Sequence, residues 1–318
     1  MTLTKEAEAR DFNEAFADMI KAGKTKTAEA AANDYIRVFM REESIMDKIL
    51  PPTPITNSEL DRQADTSKPV RVEDMQAGSP GAVSVPFATL PQNKWMRGKR
   101  FRVLFDRILS HRAVVDVDEL RTWRMDLRQV ISDDYIKDIA QEKDRKFLTA
   151  VNTAVGAPVA ATLAGGQAGS GSARNYNLTD ASGISRNTLV EMLKIMPAQT
   201  SKISPKVVLC NNLTVMDIVK WGRDEVGGDF AEQLLRQGWS EETFLGCKWI
   251  STIKHDLVPN NTFYMFGPED FMGKHYQLED VTMNIKQEAF FLEFFAYCLE
   301  GASIANFNSC AKATITVA

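Results

Sequence analysis

The first fifty residues carry the hydrophobic spacing of an amphipathic helix. An alanine-rich run at 28–32 favours a helical conformation. Large apolar residues follow at helical intervals: Tyr35, Val38, Phe39 and Ile45. The pattern stops at the prolines of 51–54, because proline cannot continue a helix and pushes the preceding residue into an extended conformation. We therefore predict an N-terminal arm that ends in a stiff, extended joint.

Residues 66–110 contain two stretches in which apolar and polar positions alternate, the pattern of a long β-hairpin. The apolar positions are Val83, Val85 and Phe87 in the first stretch, and Phe101, Val103 and Phe105 in the second. The turn between them and the start of the second stretch are basic, with no acid before Asp106. Two interpretations stand beside each other: a solvated, charged edge that discourages aggregation, or a projecting arm that docks on an acidic surface.

The longest helical signal covers residues 118–155. Asp118 is a candidate N-cap. One apolar stripe follows it: Leu120, Trp123, Leu127, Val130 and Ile131, continued by Ile136, Ile139, Phe147 and Val151. At 1.5 Å per residue this helix would be on the order of 50 Å long. Because that exceeds the usual length of a globular helix, we predict a beam that spans the molecule.

A stretch of small residues at 163–172 then predicts a loop or linker. After it the pattern is compact and mixed. Helices are predicted at 187–196 and from Asn211 or Asn212 to about 226, and strands at 206–210, 244–252 and 262–266. From Val281 onward the alternation is that of β-structure. The chain as a whole is therefore predicted to be α+β.

Composition adds limits to this picture. The 318 residues are 25% charged and 44% hydrophobic with a formal net charge of −4, which is ordinary for a soluble globular protein and argues against bulk binding of nucleic acid. We see no run of about 18 apolar residues for a membrane helix. The N-terminus lacks the basic start and apolar core of a signal peptide, so we expect a cytoplasmic protein with reduced thiols.

Candidate chemistry is sparse. Gly23-Lys24-Thr25 has the ending of a phosphate loop, but Asp18 stands where that motif needs glycine. The four cysteines form no C-x-x-C pair, and there are three histidines, so we predict neither a metal site nor a cofactor. The cysteines are interpreted as small buried hydrophobic residues. A Cys–His pair that meets only in space stays open, and a cytoplasmic α+β hydrolase using Cys210 or Cys247 is the alternative from another class.

Three C-terminal segments carry a resemblance. They are the strand and turn of 247–268, the closing stretch 300–316, and the strand-to-helix passage of 206–212. Together with the order of elements they resemble the major capsid proteins of tailed bacteriophages, the Hong Kong 97-type fold. The resemblance implies an N-terminal arm, a hairpin called the E-loop, a peripheral domain with a spine helix, an axial domain, and a closing β segment that returns to the peripheral domain. The matching segments are residues 1–65, 66–110, 111–185 (spine helix at 118–155), 186–285 and 286–318.

The resemblance implies a structural protein and not an enzyme. It would assemble as hexamers and pentamers into an icosahedral phage head around double-stranded DNA, in the host cytoplasm, and become part of the virion. The implied partners are further copies of itself, a portal, a separate scaffolding protein and decoration proteins, with weak, non-specific contact to DNA and none to a membrane. We expect no removed N-terminal peptide and no lysine–asparagine cross-link between subunits. An encapsulin-like nanocompartment shell is the alternative within the same fold.

Subunit contacts are predicted at the basic hairpin. Trp95 and Met96 would be apolar anchors there, surrounded by positive charge. The predicted contact residues of the hairpin are Lys94, Trp95, Met96, Arg97, Lys99, Arg100 and Arg102. Their predicted acidic partners in the axial segment are Asp224, Glu225, Asp229, Glu241 and Glu242.

Overall fold

The computed structural model describes residues 44–63, 65–75, 84–87, 90, 93, 98–116, 119, 135–162, 173–180, 183–199, 201–219, 243–288 and 290–317. The predictions for residues 1–43, for nearly all of 117–134 and for the linker at 163–172 lie outside these residues. Within them the chain forms one five-stranded sheet, one seven-stranded sheet and a two-stranded ribbon, together with several helices. The fold is α+β.

The described chain begins with a short helix, α1 (Ile45–Ile49), capped by the side chain of Ser44. Its apolar side Ile45, Met46 and Ile49 is buried. The proline-rich joint then runs extended, and Thr53–Pro54 (β1) pairs with the edge of the five-stranded sheet. The extended conformation expected after Leu50 is therefore present.

The ribbon consists of β2 (Val70–Met75) and β3 (Lys99–Leu104), paired antiparallel from Val70–Leu104 to Met75–Lys99. The first strand was predicted at the wrong place: Ser84–Phe87 is not part of a strand. The reason is the core beneath the ribbon. Val70 is fully buried against it, whereas Val85 and Phe87 are exposed and have no core to pack on.

The five-stranded sheet has the order β1-β12-β13-β4, with β5 also pairing with β13. Its other strands are β4 (Asp106–Leu109), β5 (Ala113–Asp116), β12 (Gly273–Glu288) and β13 (Phe291–Ile304). β12 and β13 form one long antiparallel hairpin. Much of the β-structure predicted from Val281 onward is thus this one hairpin, whose second strand ends at Ile304.

The seven-stranded sheet has the order β6-β7-β14-β11-β8-β10-β9. These strands are β6 (Val159–Thr162), β7 (Asn175–Asp180), β8 (Val207–Asn211), β9 (Thr243–Phe244), β10 (Cys247–Thr252), β11 (Thr262–Phe266) and β14 (Cys310–Val317). The strand predicted over 244–252 is divided, because Leu245 and Gly246 both have positive φ and turn β9 back onto β10.

Helix α2 (Lys137–Val155) joins the two sheets and lies within the helix predicted over 118–155. Ile139, near its start, packs in the core of the five-stranded sheet. Phe147 and Val151, further along, pack with Leu209 and Phe266 of the seven-stranded sheet. The helix ends at Gly156, whose φ of 81° favours glycine.

Three shorter helices complete the described fold: α3 (Arg186–Lys194), α4 (Asn212–Val219) and α5 (Glu269–Met272). The strands of the two sheets do not follow the boundaries of the predicted segments. Position 285 lies inside β12, and the segment 286–318 contributes β13 to one sheet and β14 to the other. The assignment of these segments to capsid domains stays a prediction.

Candidate assembly surfaces

The ribbon β2–β3 is fixed firmly where it meets the body of the molecule. Val103 and Phe105 are buried with Ile55 and Tyr276. The Tyr276 hydroxyl donates a 2.6 Å hydrogen bond to Glu73 of the ribbon. Burial, together with this carboxylate, raises the pKa of Tyr276 to about 12. The phenol therefore keeps its proton, and the direction of the ribbon is set by the packing at its base.

Two of the predicted basic contact residues on the ribbon, Arg100 and Arg102, have acidic partners within the same chain. Arg100 pairs with Asp74 at 2.8 Å, and Arg102 pairs with Asp65. Both pairs are exposed, and exposed pairs contribute little to stability. The positive charge at Arg100 and Arg102 is therefore already balanced within the arm. Lys99 lies opposite Met75 at the far end of the ribbon.

The remaining predicted contact residues lie outside the described residues. On the hairpin these are Lys94, Trp95, Met96 and Arg97; in the axial segment they are Asp224, Glu225, Asp229, Glu241 and Glu242. The structure therefore does not show how far the basic set lies from the acidic set. Their pairing across a subunit boundary stays a prediction.

Apolar residues between β2 and β3 are exposed, which the alternation in the sequence did not predict. Phe87 is fully exposed, Leu90 is exposed at 93% and Val85 at 40%. The prolines at 86 and 91 are the feature that argues against a strand here, because proline is disfavoured inside a strand. Large apolar side chains left in water are typical of surfaces that contact another molecule.

A groove of about 450 Å³ runs between helix α2 and strand β13. Its apolar lining includes Leu104, Ile108, Phe147, Ala150 and Ile304. Lys146 and Asp106 lie at its rim, 3.6 Å apart. The groove can accept apolar side chains from outside, with polar groups at its edge to orient them.

Two groups of buried charges hold α1 in place. Asp144 accepts hydrogen bonds from Ser44 Oγ and from the Met46 amide, and Lys254 Nζ donates to its other oxygen at 2.7 Å. Lys143 lies 2.8 Å from Glu300 and 3.4 Å from Asp47. Burial acts to lower the pKa of Lys143, but the two carboxylates outweigh it and hold that pKa above its usual range. Lys143 is therefore a buried cation.

The four cysteines are all buried, as predicted. Burial raises the pKa of Cys210 and of Cys310 to about 12, and it also raises the pKa of Cys247. A thiol must ionise to act as a nucleophile, so this environment disfavours the hydrolase alternative. Among the described residues no group of three histidine, cysteine or acidic side chains could hold a metal ion. No described helix is long and apolar enough to cross a membrane.

The fold has counterparts among solved structures. One from Mycobacterium phage Adephagia superposes with a TM-score of 0.58 at 10% identity, over 87% of this chain and 91% of that one. The mature capsid of bacteriophage PhiM1 gives a TM-score of 0.54 at 10% identity, over 87% and 86% of the two chains. This chain has the Hong Kong 97-type capsid fold. A virus-like particle from Pyrococcus furiosus shares the fold with a TM-score of 0.56 at 13% identity, over 89% of this chain and 98% of the other.

These similarities therefore show the Hong Kong 97-type fold alone, since only about one residue in ten is identical in each comparison. No protein-family model matches the sequence, and no curated protein matches it. The predicted resemblance to phage major capsid proteins is confirmed at the level of the fold.

Proposed function

We propose that this protein is a shell-forming capsid protein. The observation that supports this most is the match of its fold, over 87% of the chain, with a structure described as a mature bacteriophage capsid. The exposed apolar residues of the arm add to this, because Phe87 and Leu90 are in water in the single chain. Neither feature serves an enzyme with a buried site, and we propose a structural role without catalysis.

The contact between copies would join two different surfaces of the same chain. The apolar arm residues Val85, Phe87 and Leu90 of one subunit would enter the α2–β13 groove of the next. Such a head-to-tail contact forms rings when the rotation between copies closes, and hexamers and pentamers are rings of this kind. Burying Phe87 and Leu90 together would remove on the order of 300 Å² from water, by the usual area of large apolar side chains.

The finer parts of the proposal follow the resemblance. They are an icosahedral tailed-phage head assembled in the host cytoplasm, a portal, a separate scaffolding protein and decoration proteins. The packaged double-stranded DNA would be contacted weakly, which suits a chain with a net charge of −4. The predicted basic-to-acidic contacts would then supplement the apolar one.

Electron microscopy of the purified protein tests the proposal. We expect closed shells or ring-shaped capsomers, alone or after scaffolding protein is added. The double variant Phe87→Ser, Leu90→Ser should abolish them and leave the circular dichroism and thermal midpoint of the single chain unchanged, because both side chains are exposed. A wild-type protein that stays monomeric at high concentration, with or without scaffolding protein, would contradict the proposal.

A nanocompartment shell is the second candidate. The observation behind it is that a structure described as a virus-like particle, and not as a phage, shares the fold over 98% of its own length. The two candidates differ in what the particle contains. Nuclease-protected DNA inside particles purified from infected or expressing cells would favour the phage head, and a protein cargo without DNA would favour the nanocompartment.

A further inference from the structure

Four titratable side chains from four different elements form a closed ring beneath α1. Lys143 Nζ lies 2.8 Å from Glu300 Oε2 and 3.4 Å from Asp47 Oδ2. On the other side, His275 Nδ1 lies 3.6 Å from Asp47 Oδ1, and His275 Nε2 lies 3.5 Å from Glu300 Oε2. Each nitrogen-bearing side chain therefore lies between the same two carboxylates. The side chains of Lys143, Glu300 and His275 are exposed by 3%, 6% and 0%.

The charges of this ring do not cancel when His275 is neutral. Two carboxylates and one ammonium then leave one negative charge in a site where the side chain of Asp47 is 15% exposed and the other three at most 6%; this is costly because little water solvates it. The neighbouring pair of Asp144 and Lys254 does not correct this, since its two charges cancel each other. One additional proton within the ring would make it neutral.

The hydrogen-bonding atoms of the ring also indicate that one proton is missing. His275 Nδ1 is 3.1 Å from the carbonyl oxygen of Leu50, which can only accept, so Nδ1 carries a hydrogen. Without a second hydrogen on Nε2, its lone pair would face the carboxylate of Glu300. Across the described residues, Asp47 Oδ1 and His275 Nε2 are buried atoms without a hydrogen-bond partner, whereas Glu300 Oε2 has the ammonium group of Lys143 at 2.8 Å. A proton on His275 Nε2, or on Asp47, would satisfy part of this set.

The carboxylates differ in their hold on a proton. Burial raises the pKa of Asp47, even though Lys143 and His275 act against it. Burial also acts to raise the pKa of Glu300, but the contacts with His275 and Lys143 outweigh it and leave that pKa below its usual range. The thiol of Cys298 also lies near Lys143 and Glu300; its pKa is raised by burial, so it stays neutral. Glu300 is thus the fixed anion, and the extra proton has Asp47 Oδ1 and His275 Nε2 as its two places, because both are buried atoms without a hydrogen-bond partner.

We propose that this ring binds one dissociable proton and that the proton holds the segment Ser44–Leu50 on the body of the subunit. The folded chain then binds one proton more than the released segment does in neutral to alkaline solution. Binding of more protons by the docked state means that docking weakens as the pH rises and strengthens as it falls towards neutrality. The segment is the base of the N-terminal arm, so the ring would regulate how firmly that arm is attached. This proposal does not depend on the proposed capsid function.

Hydrogen exchange of the peptide that contains Ser44–Leu50 tests the proposal, measured from neutral to alkaline pH and corrected for the intrinsic exchange rate. One extra proton in the docked state predicts that the protection of its amides falls about tenfold per pH unit between the pKa of the proton site in the released state and its higher pKa in the docked state, and levels off above that range. Asp47→Asn removes one carboxylate and keeps the shape, so its ring is neutral without the proton and its protection should not change with pH. His111→Gln is the matched control, because His111 is exposed and pairs with Asp138 on the surface; it should keep the wild-type profile.

Two results would overturn the proposal: protection in the wild type that does not depend on pH, or a wild-type pH profile in Asp47→Asn. If the variant leaves the segment undocked at every pH, magnetic resonance of the wild type decides. The chain has three histidines, so the His275 signal can be assigned with His275→Gln. At neutral pH we expect either a doubly protonated His275 or a protonated Asp47, and finding both deprotonated would exclude the shared proton.

Discussion

Gly301 lies where the ribbon crosses strand β13, and the substitution Gly301→Ala should push the two apart. A Cβ atom at this position would lie 2.7 Å from the carbonyl oxygen of Leu104 and 3.0 Å from Cγ1 of Val103. The nearer obstacle is backbone of β3, which cannot move unless the ribbon moves with it. Overpacking of this kind costs about 1–3 kcal/mol, and we expect a loss of that size in the free energy of unfolding.

Urea unfolding followed by circular dichroism measures this loss, and the same preparation shows by electron microscopy whether particles form. Gly98→Ala is the matched control, because it makes the same change on the same arm but its Cβ would lie 3.9 Å from the nearest atom, the carbonyl oxygen of Met75. Its effect should stay within about half a kcal/mol. Equal free energies of unfolding for the two variants would show that the ribbon does not pack on Gly301 as described.

Three further outcomes are expected. Lys143→Met should lower the free energy of unfolding by about 3–5 kcal/mol, since it leaves the carboxylates of Asp47 and Glu300 buried without their cation. Urea unfolding measures this loss beside the control Lys146→Met, which removes an exposed lysine. Equal losses in the two variants would contradict the prediction. Leu245→Asn should stabilise the protein by a few tenths of a kcal/mol to about 1 kcal/mol in thermal unfolding, because Leu245 has a φ of 52° and asparagine tolerates that region better; a lower midpoint would be the contrary result. A thiol reagent at mildly alkaline pH should modify none of the four buried cysteines in the folded protein and all of them in denaturant; rapid labelling of one thiol in the folded protein would revive the hydrolase alternative.

A strand that the sequence predicted well is one whose short, largely apolar run is buried along its whole length. Residues 262–266 form β11 as predicted, with every residue buried. The first strand of the hairpin was misplaced because Val83–Phe87 alternates more regularly than Val70–Met75, which carries Arg71, Glu73 and Asp74. Residues 70–75 form the strand because they pair with β3 and because Val70 is buried. Both contacts are made with residues that are distant in the sequence.

The charged ring could not be predicted from the sequence. Its members come from positions 47, 143, 275 and 300, and none of them has neighbours that form a motif. A lysine on a predicted helix is usually a solvated residue, and nothing local indicates that Lys143 is buried. The ring exists only because α1, α2 and the β12–β13 hairpin meet at one place, which is a property of the packing.

The position of β14 in the seven-stranded sheet has a consequence for the order in which the subunit can be made. β14 pairs with β7 on one side and β11 on the other, so it alone connects β6–β7 to the rest of that sheet. β14 (Cys310–Val317) follows β11 by more than 40 residues, and the sheet stays in two pieces until β14 is in place. Contacts of such long sequence separation form late. The seven-stranded sheet can therefore close only after β7, β11 and β14 have all been synthesised, and β6–β7 stays separate from β11 until then.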